Sequence, residues 1–414
     1  MKPADYSADF SQNALPESSH WLDKLCLNLL RRVLPRLTEG SLRLSFPNGQ
    51  QLQVGDLSQP HAEVRLHSYR ALRRFLFGGL VGWAESYMAD EWDSPDITVL
   101  VQWALENERA LSGLGRASAL GRLRDRLVHR LRANSRRGSK RNIAYHYDLG
   151  NHFYRRWLDQ SMTYSSALFS HPEQDLLAAQ QNKFDRIGEL LALLPDARLL
   201  EIGCGWGGFA RHILQQRPDI RLQGITLSKE QLQWATQQLQ QSGLSERGQL
   251  KLQDYRDLQG QYDAIASIEM FEAVGESHWP GYFETLKRCL KPGGRAVLQI
   301  ITIDDQRFDR YRLQTDFIQR YIFPGGMLPS VKVLRQQVAD AGFELEHQQM
   351  FGQDYARTLE IWRQAFLQQW PEIERQGFDE RFRRMWLYYL GYCEGGFRSG
   401  SIDVGFFVLK APDC

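Results

Sequence analysis

Residues 201–210 read EIGCGWGGFA, and Gly203-Cys204-Gly205-Trp206-Gly207-Gly208 within them fits the spacing G-x-G-x-x-G. The preceding "RLLEI" is an apolar run that reads as a buried strand, and the following "FARHILQQ" has helical spacing. Strand, glycine turn and helix in that order mark the mouth of a parallel sheet, where a cofactor rests on the turn. The alternation continues downstream. "IRLQGITL" is the next strand, "SKEQLQWATQQLQQSG" a helix ending at Gly243, and "QLKLQDY", "YDAIASIEM" and "RAVLQIITI" supply three more strands. Strands alternating with helices predict an α/β domain built on a doubly wound, Rossmann-like parallel sheet.

The residues around the turn select the cofactor. A dinucleotide needs a carboxylate for its ribose at the tip of the second strand, about twenty residues past the glycines. That tip is Thr226-Leu227-Ser228, with no acid. A pyrophosphate also needs an open helix N-terminus, yet Trp206 sits inside the turn. S-adenosylmethionine carries no phosphate and needs only room against the glycines. Glu201, two residues before Gly203, is placed for its charged amino end. The third strand, ending Gln253-Asp254-Tyr255, offers an amide edge and an aromatic face for adenine. "LKPGGRAVL" then resembles the turn that feeds the fifth strand of many such enzymes. Together these features point to S-adenosylmethionine and a class I methyltransferase sheet.

The rest of the chain sets limits. Its 414 residues suffice for two domains. With 43% hydrophobic and 24% charged residues, the composition is that of a folded globular protein. A net charge of +2 gives no global field toward nucleic acid or membrane, so any such attraction is local. The five cysteines, Cys26, Cys204, Cys289, Cys393 and Cys414, form no C-x-x-C pair, which argues against a zinc site or disulfide framework. The ten histidines show no ligand spacing, and no metal is expected. "MKPADYSADFSQN" is unlike a secretory signal, and no run of about 18 apolar residues is present. The expectation is a cytoplasmic protein that meets a membrane only from outside.

Three segments are expected. Residues 1–111 read as a smaller α+β accessory domain, with Pro47-Asn48-Gly49 as the hairpin turn between "SLRLS" and "QQLQV". Residues 112–141 are rich in Arg and Lys with one acid, Asp125, and place Leu120, Leu123, Leu127, Val128 and Leu131 at helical spacing. Such a basic linker helix suits an anionic phospholipid surface, and by charge alone also a phosphate backbone. No base-stacking or N-P-P-Y motif accompanies it, so nucleic acid is not the expected partner. Residues 142–414 form the catalytic domain.

Residues 142–410 resemble the cyclopropane-fatty-acyl-phospholipid synthases and the mycolic acid cyclopropane synthases. The motifs are "NIAYHYDLGNHFYRRWLD", "MTYSSALF", "LLEIGCGWGG", "GITLSKEQ", "FEAVGESHW", "YIFPGGMLPS", "DYARTLEIW" and "WLYYLGYCEGGF". The N-terminal part looks like the extra domain of the phospholipid-acting branch. The resemblance implies transfer of a methylene from S-adenosylmethionine across a cis double bond of an acyl chain in an anionic phospholipid membrane, and suggests a homodimer. It assigns cofactor contacts to Tyr164, Ser165, the loop carrying Glu201, Gly203, Cys204, Gly205 and Gly207, then Thr226, Leu227 and Gln231, with Tyr255 and Arg256 on the adenine side. It further implies a bicarbonate ion, serving as base, in a nest at Ser166, Glu272, Gln299, Ile301 and Tyr355.

Two nest positions depart from the family pattern. Ser166 stands where a Cys is usual and Gln299 where a His is usual; beside the nest, Ala273 replaces the His of "FEHVG". Backbone N–H groups at Ser166 and Ile301 make the first change minor. The second matters more, because glutamine cannot take a proton near neutral pH. Cys393 matches a family cysteine; the route needs no covalent enzyme intermediate, so it reads as packing, with catalysis the rival.

The chemistry explains the grouping. An alkene is a weak nucleophile, so the sulfonium must be held in line with it. The carbocation left behind is stabilised by aromatic faces and a buried carboxylate. Proton loss from the new methyl closes a cyclopropane, whereas loss of a neighbouring proton leaves a methyl or methylene branch. Gln299 makes the branched product a direct rival.

Overall fold

The computed structural model describes residues 20–55, 60–111 and 149–413, and the basic segment 112–141 lies outside them. The chain forms two compact units, Met1–Asp125 with Asp379–Ser399, and Arg126–Phe378 with Gly400–Cys414.

The first unit carries a four-stranded sheet of β1 (Ser41–Ser45), β2 (Gln51–Gly55), β3 (His61–Leu66) and β4 (Trp92–Asp93), in the order β2-β1-β3-β4. β1 and β2 are antiparallel, joined through the turn at Gly49 (φ 85°), as the Pro-Asn-Gly signal predicts. The helix Ile97–Glu106 starts at Asp96, whose carboxylate accepts from the N–H groups of Thr98 and Val99. Against it packs the helix Glu380–Arg398, which carries the "YYLGYCEGGF" motif. A Cβ at Gly391 or Gly395 would stand 2.9 Å from Ile97 or 2.8 Å from Val101, so these glycines let the two helices touch. Buried Glu394 accepts from Thr98 Oγ1 at 3.0 Å and pairs with Arg398. That motif, drawn within 142–414 on sequence, thus builds the first unit.

The second unit holds a seven-stranded sheet. Its strands are β5 (Arg198–Ile202), β6 (Arg221–Thr226), β7 (Gly248–Leu252), β8 (Tyr262–Ile268), β9 (Leu290–Ile303), β10 (Glu344–Met350) and β11 (Ile402–Lys410), in the order β10-β11-β9-β8-β5-β6-β7. Each strand expected from sequence is present. Two more, β10 and β11, were not read from sequence, and β11 runs antiparallel to both β9 and β10, so the sheet is mostly rather than wholly parallel. β11 is buried almost throughout, with Val404, Phe406, Phe407 and Leu409 all at 0% exposure, because it fills the space between two strands and is covered on both faces. Leu199, Leu200, Ile202 and Ile265 form the sheet's centre, and Tyr282, Phe283 and Leu286 of the helix Trp279–Cys289 cover one face. The strand order reverses between β5 and β8, and crevices open there at the carboxyl ends of the strands. Glu201 at the tip of β5 and Glu269, directly after β8, stand at this switch point. No described helix is long and apolar enough to cross a membrane.

Candidate active site

The glycine turn is built by backbone. The N–H groups of Gly203 and Cys204 both donate to Ile225 O, at 3.0 and 2.9 Å, and tie the turn to β6. Gly203 (φ 87°) and Gly207 (φ 83°) need left-handed geometry. A Cβ at Gly207 would also lie 2.9 Å from Ala235 Cβ. Trp206 does not block the turn. Its ring nitrogen donates to Asn151 Oδ1 at 2.6 Å and its ring lies 4.9 Å from that of Tyr154. Among the described residues, no atom beyond its chain neighbours lies within 4 Å of a Cβ built at Gly205, which leaves room on that side of the turn. Cys204 is buried, which pushes its thiol well up and makes it a packing residue.

Glu201 sits at 2% exposure with Oε2 lacking any partner. Burial alone pushes its carboxyl up to about 8. A solitary buried acid beside an open glycine turn fits a ligand that brings its own cation, as the amino end of S-adenosylmethionine does. Thr226 Oγ1 donates to Gln231 Oε1 at 2.8 Å, closing the loop after β6, with Leu227 half-buried between them. Tyr255 stands edge-on to Tyr282, and Arg256 lies over its ring while pairing with Asp254 at 2.6 Å.

A second group of side chains gathers beyond β8 and β9. Its centre is a residue that sequence reasoning passed over, Glu269. Glu269 Oε1 accepts from Ser166 N at 2.8 Å and Gln299 Nε2 at 2.7 Å, and Oε2 accepts from Tyr355 Oη at 2.7 Å. Lys183, fully buried on the helix Leu176–Leu191, donates to Ser165 Oγ at 2.6 Å, and its charge favours the ionised form of Glu269. Burial raises the Glu269 carboxyl, while Lys183 and the three donors lower it. Lys183 is pushed down to about 7 by burial, against the pull of Glu269 and Asp159. Asp159 accepts from Ser161 N and Thr163 N, which fixes the loop that delivers Tyr164, Ser165 and Ser166.

Ser166, Gln299 and Tyr355 therefore converge as expected, but on a side chain of the protein. Glu272 and Ile301 pair with each other instead, the Ile301 N–H donating to Glu272 Oε1 at 2.5 Å. Glu272 Oε2 has no partner, and burial, helped by the charge of Glu269, pushes the carboxyl up to about 8. Of two neighbouring acids, one has a cation and three donors that favour its ionised form, and the other, raised to about 8, keeps a proton at neutral pH. Both residues retain some accessible surface.

The departures have local explanations. The Ser166 hydroxyl donates to Ala167 O, so only its backbone faces the nest and a Cys there would present the same N–H. Gln299 supplies a neutral donor to a carboxylate. Tyr164 joins an aromatic group with Tyr154, Trp157 and Trp362. Cys393 lies half-buried on Glu380–Arg398, an element of the first unit. Among the described residues no cluster of His, Cys, Asp and Glu has the form of a metal site. Glu269 was detectable as an acid at a strand tip three residues before Glu272; Lys183 left no signal, being one lysine in an amphipathic helix.

Residues 134–407 match the family model described as mycolic acid cyclopropane synthetase. The chain belongs to that family. It is 38% identical over 396 residues to the tuberculostearic acid methyltransferase UfaA1 of Mycobacterium tuberculosis, covering 91% of this chain and 88% of that protein. It is 37% identical over 352 residues to the cyclopropane-fatty-acyl-phospholipid synthase of Escherichia coli, covering 83% and 86%. The solved cyclopropane synthase MmaA2 of Mycobacterium tuberculosis superposes with a TM-score of 0.62 at 32% identity, over 66% of this chain and 98% of its own. The mycolic acid cyclopropane synthase CmaA1, complexed with SAH and CTAB, gives 0.61 at 30% identity, over the same shares. The protein is an S-adenosylmethionine-dependent methyltransferase of this family with the class I fold.

Proposed function

We propose that this methyltransferase acts on a double bond of an unsaturated phospholipid acyl chain and releases a methylene-branched chain. The observation that carries the reading is the nest itself, where a carboxylate anchored after β8 and a glutamine stand in place of a histidine-lined base site. When bound, S-adenosylmethionine supplies an electrophilic methyl group. Glu201 holds its amino end, the glycine turn leaves room for it, and Tyr255 offers a face to adenine. The aromatic side chains Tyr164, Trp157 and Trp362 exclude water from the region where the lipid becomes cationic.

Which proton then leaves depends on where the basic atom stands. A base fixed to β8 is held at a single position, and the similarity to a tuberculostearic acid methyltransferase over 91% of the chain supports the branched outcome. Ring closure is the second reading, favoured by the similarity to the Escherichia coli cyclopropane synthase. The substrate surface is an anionic bilayer met from outside; Trp21, Leu25, Phe77 and Leu80 of the first unit are exposed apolar residues suited to it.

Product analysis decides. The enzyme is incubated with S-adenosylmethionine and vesicles of monounsaturated phospholipid. Acyl chains heavier by one CH2 that show vinylidene protons by NMR support the proposal. Upfield ring protons establish the second reading, and unchanged acyl chains overturn both.

A further inference from the structure

The bicarbonate that the family resemblance implies does not fit this nest. Ser166 N, Gln299 Nε2 and Tyr355 Oη, three of the five groups assigned to the ion, are engaged by the Glu269 carboxylate. A fourth, Ile301 N, is engaged by Glu272. The donors that would hold an added anion are spent. Such an anion would also stand against a carboxylate, and like charges at contact distance in a desolvated site do not both persist.

Two features show that Glu269 is held there rather than resting there. Its backbone is left-handed, with φ 48°, a conformation that is unfavourable for an L-residue. A glycine would adopt it freely. The residue keeps this geometry because its side chain is bound from three separate segments: the loop at Ser166, β9 at Gln299, and the helix Gly352–Glu374 at Tyr355. The second feature is spare capacity. A carboxylate offers about four acceptor positions, and the donors at Ser166, Gln299 and Tyr355 fill three of them. One lone pair on Oε2 remains for a proton. Among the described residues, Lys183, Glu272 and Tyr355 are the titratable groups that act on this carboxylate, with Asp159 acting on Lys183 in turn. Lys183 is the cation of that group, and its charge favours the ionised form of Glu269.

We propose that Glu269 itself is the base of the reaction, in the place the family gives to a bicarbonate ion, so that turnover requires no dissolved carbonate. The proposal rests on the acyl-chain reading above. The π pair of the double bond forms the new C–C bond to the methyl group, and the S–CH3 pair departs with sulfur. The positive charge left on the neighbouring carbon is relieved when a C–H proton passes to Glu269 Oε2. For the methylene branch, a 1,2-hydride shift first moves the charge to the carbon that bears the new methyl, and the C–H pair of that methyl becomes the C=CH2 bond; without the shift, the same C–H pair closes the third ring bond. The proton leaves the resulting carboxyl for solvent when the product departs.

The test compares wild type, Glu269→Gln and Glu269→Gly in buffer scrubbed of carbon dioxide, with and without added bicarbonate. Wild-type turnover of S-adenosylmethionine on unsaturated vesicles is expected to stay within about twofold across these conditions. Glu269→Gln is expected to lose about 10²- to 10⁴-fold, the usual contribution of a positioned base. Glu269→Gly relieves the backbone and frees the donors, so bicarbonate is expected to restore its turnover by about tenfold or more. Binding of 13C-bicarbonate, followed by NMR without lipid, is expected for Glu269→Gly and not for wild type. That arm remains informative if the acyl substrate has been misread. A wild type that binds the labelled ion, or slows about tenfold or more when carbonate is removed, overturns the proposal. So does a Glu269→Gln enzyme with wild-type turnover.

Discussion

Glu201 and Glu269 are both buried acids at the carboxyl edge of one sheet, and they are treated in opposite ways. Glu201 has an orphaned oxygen, and burial alone governs its titration. Glu269 has three donors and a lysine. A buried carboxyl without a partner is a place reserved for a ligand that brings a cation. One supplied with partners has its hydrogen bonds made before the ligand arrives. The cofactor end of the site is thus incomplete until filled, whereas the base end is finished by the protein.

The largest test of this contrast is Lys183→Met. It takes the buried Glu269 carboxyl's cation away and is expected to lower stability by about 3 kcal/mol in urea unfolding. Adding Glu269→Gln should recover more than half of that loss without recovering turnover. If Lys183→Met leaves stability unchanged, Glu269 is not charge-balanced as described.

Next comes Glu201→Gln. The carboxyl is protonated in the free protein below about pH 8 but ionised in the unfolded chain above about 4.5, so the substitution should raise ligand-free stability near neutrality. Loss of a charge-assisted contact should weaken S-adenosylmethionine roughly 10- to 100-fold by calorimetry. An unchanged affinity would place the amino end elsewhere.

The same acid predicts a pH dependence. Binding a cation ionises Glu201, so cofactor affinity should fall by up to about tenfold per pH unit below about 8, with proton release seen as a buffer-dependent heat. Glu201 and Glu272 also set stability. Both are raised from 4.5 to about 8 in the folded chain, which therefore holds more protons than the unfolded chain in that window. Ligand-free stability should be fullest below the window and fall as pH rises through it. Glu201→Gln should flatten part of the slope.

The smallest effect is expected from Cys393→Ser. Its helix belongs to the first unit, and turnover should stay within about twofold. A large loss would revive the cysteine as a participant.

Much of this was readable in the residues. The glycine turn, Glu201 and the acid-free tip at Thr226 specify the sheet, its switch point and the cofactor, because those features are local: a strand, a turn and a helix follow one another along the chain. Ser166, Glu272, Gln299, Ile301 and Tyr355 were readable as a set only through family resemblance, and the partition among them was not. The reversal of β11 and the placement of Glu380–Arg398 in the first unit also escaped the linear reading, since neither is encoded by periodicity.

The amino-acid sequence by itself determined that this chain folds as a class I methyltransferase domain with an accessory unit, and that it binds S-adenosylmethionine. Hydrophobic period and glycine spacing act over a few residues and survive without knowledge of contacts. Only the tertiary structure decided which acid occupies the nest. Ser166, Lys183, Glu269, Gln299 and Tyr355 are spread over almost two hundred residues, and a carboxylate's charge state depends on which donors and cations the fold places within hydrogen-bond reach of it.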